Sequence, residues 1–104
     1  VHTFLVNLNN AIELHLTDSS LELIAKEMNL SESSLQKKIK YYTKHNFSEY
    51  LRRYKLSRAK ALLQAGMCNV TESSIRSGFK NLAHFSESFK ALYGLSPSKV
   101  LAEV

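Results

Sequence analysis

One pattern of apolar residues and turn residues occurs twice along the chain. In each copy, two small or apolar residues stand five and four positions before a turn residue, and a pair of bulky apolar residues four apart follows. These positions are Ile24, Ala25, Asn29, Leu35 and Ile39 in the first half, and Ser73, Ser74, Gly78, Phe85 and Phe89 in the second. The second copy has one extra residue in the turn. Such a repeat predicts two versions of one supersecondary unit, a short helix, a tight turn and a second helix.

Helix-start signals divide the rest of the chain. A polar residue that can cap a helix precedes six apolar-periodic segments, and the expected caps are Ser19, Ser31, Asn46, Asn69, Asn81 and Ser96, the last followed by Pro97. A first helix is expected over residues 4–16, and the fourth should continue without a breaker from Asn46 to Gly66. With only three glycines and one proline, the composition also favours helix.

We therefore predict an all-α fold of about seven helices. Two helix-turn-helix subdomains are expected over residues 1–45 and 67–104, joined by a long linker helix over residues 46–66.

The positive charge is concentrated in the middle of the chain. Residues 36–60 carry nine lysines and arginines against Glu49 alone, whereas residues 1–35 have five acidic residues and one lysine. Focused positive charge is typical of a polyanionic partner, although a solvated helix face accounts for it equally well. The second helix of a helix-turn-helix can enter the DNA major groove. A single unit indicates this weakly, but two in tandem beside a basic segment indicate it much more strongly.

Other classes of protein fit the sequence poorly. No apolar run is long enough to span a membrane, no signal peptide opens the chain, and the single Cys68 cannot form an internal disulfide, so we expect a cytoplasmic protein. The start at Val1 reads as a piece cut from a longer chain. The histidines and Cys68 lack metal-ligand spacing, and no nucleophile elbow or phosphate loop is present. We expect no catalytic residue, metal or cofactor.

The sequence resembles the AraC/XylS family of bacterial transcription regulators from about Phe4 to Val100. The resemblance rests on the segments Leu21–Lys40 and Phe47–Tyr54 with the residues Leu56, Arg58, Ala59, Leu62 and Leu63, and on Gly78-Phe79, Phe85-Ser86, Phe89-Lys90, Gly94 and Ser96-Pro97-Ser98. The run Leu8–Glu13 is most similar to members fused to two-component signalling chains.

The resemblance implies that the third and sixth helices enter successive major-groove segments of double-stranded DNA. It implies base contacts from Ser33, Ser34, Gln36, Lys37, Leu82, Ala83, His84, Ser86 and Glu87, and phosphate contacts from Ser31, Lys40, Lys44, Lys80 and Lys90. The two reading helices would lie about one duplex turn, roughly 34 Å, apart on a stiff connecting helix. The resemblance also implies contact with RNA polymerase during activation, and an effector or signal-receiving domain N-terminal to this segment.

Several residues depart from the family pattern. Ser73 and Ser74 replace an isoleucine and an alanine, so we expect the fifth helix to pack less tightly, with these serines bonded to backbone or partly exposed. Glu87 stands where many members have an arginine directed at DNA, and would weaken the second unit. Lys44 and Asn29 replace common glycines, and asparagine tolerates a left-handed turn better than lysine.

Two alternative functions remain open at this point. Glu87 and the serines of the fifth helix are compatible with a protein-interaction module that has lost DNA binding. The basic linker helix could instead lie on a membrane surface, but its apolar residues are needed for the core, which disfavours that reading.

Overall fold

The structure is a computed structural model that describes residues 2–104. Every regular element in this part of the chain is a helix, and there are seven of them, as predicted. They are α1 (His2–Leu14), α2 (Leu21–Glu27), α3 (Glu32–Thr43), α4 (Phe47–Gln64), α5 (Val70–Arg76), α6 (Leu82–Tyr93) and α7 (Pro97–Ala102).

Most of the expected caps are confirmed. The side chains of Ser31, Asn46, Asn69, Asn81 and Ser96 each accept a hydrogen bond from the backbone N–H three residues later. At the start of α5 the carboxylate of Glu72 also accepts a bond from the N–H of Asn69, which completes a capping box.

Two predicted boundaries are wrong. The cap of α2 is Ser20, whose Oγ accepts a bond from the Leu23 N–H at 3.1 Å. The Ser19 hydroxyl instead donates back to the carbonyls of His15 and Leu16, because α1 ends at Leu14 rather than at Leu16. Ser19 thus belongs to the turn that closes α1.

The chain forms two compact units, Val1–Tyr54 and Lys55–Val104, so that α4 begins in the first and ends in the second. The core of the first unit consists of Leu8, Ala11, Ile12, Ile24, Ala25, Leu35 and Ile39. Tyr50 and Tyr54 fix the start of α4 against α1, since their hydroxyls donate to Asn9 and Glu13, each at 2.6 Å.

The second unit has a more aromatic core. Its buried residues are Leu56, Ala59, Leu63, Phe85, Phe89 and Val100. The rings of Phe79, Phe85, Phe89 and Tyr93 follow one another with centroids 5.0, 5.7 and 4.8 Å apart. These tilted contacts hold α6 in place.

The fully buried residues of helix α5 are serines, and its one apolar contact with the described core comes from the partly buried Val70. Ser73 and Ser74 are both buried, and the Ser73 hydroxyl donates to the Val70 carbonyl at 2.9 Å. The expectation of a backbone bond or partial exposure is therefore met at Ser73 through the bond, whereas Ser74 is not partly exposed. The only isoleucine of this helix, Ile75, is 64% exposed, and the buried Ser77 hydroxyl at its end has no hydrogen-bond partner within the described residues.

Candidate nucleic-acid interface

The two units contain the same turn. Asn29 and Gly78 both have a left-handed backbone, with φ of 57° and 89°. The next residue of each turn, Leu30 or Phe79, donates its N–H to the carbonyl of Ala25 or Ser74, at 2.9 and 3.0 Å. The repeat is therefore structural, and the extra residue of the second copy is Lys80, which lies between Phe79 and the cap Asn81.

Helices α3 and α6 correspond residue by residue, fifty positions apart. Each begins at a side-chain cap, Ser31 or Asn81, and each ends at a left-handed residue, Lys44 or Gly94. Lys44 adopts φ of 65°, a conformation that favours glycine. Because both ends coincide, outward-facing positions can be compared directly between the two helices.

The outer face of α3 is a row of polar and basic side chains. Leu35 and Ile39 are fully buried, and the opposite side of the helix carries Ser33, Lys37 and Lys40, which are all exposed. Their spacing of four and three residues follows the helical period, so they form one stripe along the axis, and the exposed cap Lys44 continues it at the C-terminal end. We call these four residues the α3 stripe.

Two further predicted contacts flank the α3 stripe. Gln36 lies beside the α3 stripe and is exposed. Ser34 is half-buried, and its hydroxyl accepts a bond from the Ser31 hydroxyl at 3.0 Å. Ser31 and Ser34 therefore hold each other at the start of the helix.

The basic residues of the α3 stripe also close the helix end. The Lys40 ammonium donates to the Lys44 carbonyl at 3.3 Å, and the Lys44 ammonium donates to the Tyr41 carbonyl at 3.2 Å. Positive charge is favourable at a helix C-terminus. An ammonium has three donors, so each can still meet a phosphate oxygen.

The corresponding face of α6 has a different charge. Ala83, Glu87, Lys90 and Gly94 occupy the positions of the α3 stripe, and all four are exposed. One carboxylate and one ammonium thus replace the three lysines of α3. The other predicted contacts of this helix are Leu82 and His84, both exposed, and Ser86, which is half-buried.

The basic residues of α4 have partners within the protein. Arg52 and Arg53 donate to the Glu49 carboxylate at 2.6 and 2.7 Å, and these bonds lower the pKa of Glu49 to about 2. The Lys60 ammonium lies 4.3 Å from the centre of the Tyr93 ring. The charge concentrated in residues 36–60 is therefore divided between the exposed face of α3 and the helix α4, whose cations bind groups of their own unit.

Two cations of α4 close the end of α5. Arg58 donates to the Arg76 carbonyl at 2.5 Å, and the Lys55 ammonium lies 3.4 Å from the Gly78 carbonyl. Partial burial lowers the pKa of Lys55, and the nearby charge of exposed Lys80 lowers it further.

Tyr41 is a candidate contact that the sequence reading missed. Its side chain is 71% exposed beside the α3 stripe, with the Lys44 ammonium 5.6 Å from the ring centre. The Tyr42 ring meets it edge-on at 4.9 Å. The signal was available, because Tyr41 lies six residues after Leu35 and so falls off the apolar period of α3.

None of the described helices combines the length and apolar character that a bilayer-spanning segment requires.

Comparison with known proteins places the chain in a family. A family model described as a helix-turn-helix domain matches residues 24–103. The Msm operon regulatory protein of Streptococcus mutans is 36% identical over 81 residues, which are 78% of this chain and 29% of that protein. The transcriptional activator RhaS of Escherichia coli is 30% identical over 90 residues, 86% of this chain and 32% of that protein. The chain thus spans about a third or less of the length of these relatives.

Solved structures share the fold. An AraC-type transcriptional regulator from Chromobacterium violaceum superimposes with a TM-score of 0.86 at 23% identity, covering 98% of this chain and 92% of that one. The C-terminal domain of AraT, a response regulator from Geobacillus stearothermophilus, gives 0.80 at 26% identity, covering 95% and 84%. The DNA-binding domain of AdpA, solved in complex with a target DNA, gives 0.81 at 21% identity, covering 95% and 90%. With two helix-turn-helix units and a family model that matches most of its length, the chain belongs to the AraC/XylS family of helix-turn-helix regulators.

Proposed function

We propose that this chain binds double-stranded DNA sequence-specifically and regulates transcription, with α3 as its principal reading helix. The observation that carries the proposal is the α3 stripe, an exposed row of one hydroxyl and two ammonium groups opposite the buried side of the helix, continued by the ammonium of the cap Lys44. An α-helix fits the major groove, and such a row can meet base edges and phosphates together.

The chemistry of the individual side chains suggests their roles. Gln36 suits adenine and Lys37 suits guanine, while Ser33 and Ser34 can pair with several bases. Lys40 and Lys44, with the cap Ser31, would hold phosphates and fix the position of the helix. In the second unit Lys80 and Lys90 would hold phosphates, leaving Leu82, Ala83, His84, Ser86 and Glu87 to face the bases.

The relatives support this function for the domain. AdpA binds a target DNA through a domain of the same fold, and RhaS is a transcriptional activator. The remaining parts of the proposal are activation through RNA polymerase, control by an N-terminal effector or signal-receiving domain, and action in the bacterial cytoplasm without enzymatic activity. AraT, a response regulator, supports a two-component signal.

Selection of bound sequences from a random duplex pool tests the proposal. We expect a consensus that fills one major-groove segment strongly, and an affinity that falls steeply with salt. Lys37→Ala should relax the preference at one position, with a loss of about 1–3 kcal/mol on the best site. Lys99→Ala, which removes one charge from α7, is the control and should leave the consensus unchanged.

Absence of enrichment, or an affinity that does not respond to salt, would refute DNA binding. In that case titration with random duplex, followed by NMR, would leave the amides of residues 33–44 unmoved. The protein-interaction module would then be the better description.

A further inference from the structure

A polar groove in the first unit lies between α1 and the C-terminal end of α2. It has a volume of about 290 Å³ and is lined by Asn7, Asn10, Ala11, Leu14, Glu27, Met28 and Asn29. Small-molecule sites usually measure about 300–1,000 Å³, so this groove suits one long side chain better than a cofactor. We call it the α1–α2 groove.

The second unit shows what occupies the same place there. Leu8 and Ala11 are buried in α1 with a spacing of three, and Leu56 and Ala59 are buried with the same spacing in α4. This register places Asn7 and Asn10 of the first unit where the second unit has Lys55 and Arg58.

Contacts within the second unit support this register. Arg58 donates to the Arg76 carbonyl and Lys55 approaches the Gly78 carbonyl. By the correspondence of the two turns, Arg76 and Gly78 match Glu27 and Asn29, which both line the α1–α2 groove. Asparagine is too short to reproduce the reach of lysine or arginine. The niche that is filled by two cations in one unit is therefore an open groove in the other.

The groove has the chemistry of a cation site. The carbonyls of Ile24, Ala25 and Lys26 accept bonds from the turn that follows α2. The carbonyls of Glu27 and Asn29, which match those that the two cations meet in the second unit, lie at the negative end of the helix dipole. Glu27 adds a carboxylate, one oxygen of which accepts a bond from His15 Nε2 at 3.0 Å, and the Asn7 and Asn10 amides add acceptors. Leu14, 69% exposed, offers an apolar surface for the methylene stem of a long side chain.

We propose that the α1–α2 groove binds an arginine side chain presented by a partner protein. Arginine fits better than lysine, because its five donors can meet the carbonyls, the amides and the carboxylate together. The groove shares no residue with the α3 stripe. The inference therefore goes beyond DNA binding and stands or falls independently of it.

The test uses a short peptide with one central arginine between glycines, blocked at both ends, and a control peptide with citrulline at that position. Citrulline keeps the shape but not the charge. We expect the arginine peptide to bind in the millimolar range and to shift the amides of Asn7, Asn10, Met28 and Asn29 in NMR spectra. The citrulline peptide should bind about tenfold more weakly or worse, as loss of a charged hydrogen bond implies. Equal shifts with both peptides, no shifts, or shifts confined to other carboxylates such as Glu22 and Glu32 would overturn the proposal.

Two reciprocal variants make the test specific. Asn7→Lys combined with Asn10→Arg copies the second unit and should fill the groove, so that the peptide no longer binds while circular dichroism stays unchanged. Lys55→Asn combined with Arg58→Asn should open the second niche and create new shifts at Arg76 and Gly78. Unchanged peptide affinity in a folded filled variant would refute the proposal, even if the opened variant does not fold.

Discussion

Lys37 and Glu87 occupy the same position in the two helix-turn-helix units. Each lies two residues after the first buried residue of its helix, Leu35 or Phe85, and each side chain is exposed. Since the caps and the left-handed ends of α3 and α6 also coincide, the difference between the units at this position is a reversal of charge. At this position the Lys37 ammonium would attract a polyanion, whereas the Glu87 carboxylate would repel it.

We therefore predict that Glu87→Gln increases DNA affinity at low salt, and that Glu87→Lys increases it further. If the new lysine reaches a phosphate, the slope of log affinity against log salt should steepen by about one. Fluorescence anisotropy over a salt series measures both quantities. Lys37→Glu is the matched opposite change and should abolish binding. An unchanged affinity in both Glu87 variants would mean that α6 does not approach DNA.

The architecture could be read from the sequence because it depends on short-range signals. The caps at Ser31, Asn69 and Asn81 and the repeated turn at Asn29 and Gly78 are local, and the structure places them as predicted. The cap of α2 was misplaced by one residue, because Ser19 and Ser20 are chemically equal. Only the end of α1 decides which of them faces α2.

The charge distribution was harder to interpret. Counting charges cannot show that Arg52 and Arg53 share Glu49, or that Arg58 reaches a carbonyl eighteen residues away. The α1–α2 groove likewise follows from a difference between the two units, which requires both to be folded.

At Lys44 the backbone conformation is predicted to reduce folding stability, while the side-chain charge is predicted to increase DNA affinity. A left-handed conformation costs a non-glycine residue roughly 1–2 kcal/mol, and Lys44 adopts φ of 65°. Lys44→Gly should therefore raise the unfolding free energy by about 0.5–1 kcal/mol, since glycine is also more flexible when unfolded. Urea denaturation measures this gain, while DNA affinity should fall with loss of the ammonium.

Gly94→Lys is the reciprocal change. Apart from Gly94 and its two chain neighbours, no atom of the described residues lies within 4 Å of a Cβ added at Gly94, so the cost of the change is the backbone conformation alone, at φ of 77°. We expect a loss of about 1 kcal/mol in unfolding free energy. If Lys44→Gly instead lowers the unfolding free energy, the hydrogen bond from the Lys44 ammonium to the Tyr41 carbonyl outweighs the backbone strain.

The buried Ser77 hydroxyl is predicted to destabilise the second unit. Its hydroxyl is buried without a partner among the described residues, and such a group costs about 1–3 kcal/mol. Ser77→Ala should raise the unfolding free energy by about 1 kcal/mol, measured by thermal or urea denaturation. Ser73→Ala is the control, because that hydroxyl donates to the Val70 carbonyl and its removal also loses a bond. Equal effects in the two variants would contradict this explanation.

Tyr41 is predicted to add a phosphate contact beside the α3 stripe. Its hydroxyl can donate to a phosphate oxygen, and the adjacent Lys44 ammonium supplies positive charge. Tyr41→Phe removes only the hydroxyl and should weaken binding by about 1 kcal/mol, equally for specific and random duplex. Sequence-dependent weakening would instead place the ring in the groove. Tyr42→Phe is the control, because it removes a hydroxyl from the half-buried neighbour whose ring contacts Tyr41, and it should leave DNA affinity unchanged.

The Glu49 cluster predicts how stability depends on pH. The bonds from Arg52 and Arg53 lower the pKa of Glu49 from 4.5 to about 2 in the folded protein. A lowered folded pKa means that the stabilisation is complete above the unfolded value and is lost as the pH falls from 4.5 towards 2. Glu49→Gln should therefore show a shallower loss of unfolding free energy over that interval, measured by urea denaturation at several pH values. Glu103→Gln, at the other end of the chain, should keep the wild-type slope. Because the Glu49 side chain is still 30% exposed, added salt should reduce the difference between Glu49→Gln and the wild type. A difference that persists at high salt would assign the effect to hydrogen-bond geometry rather than to charge.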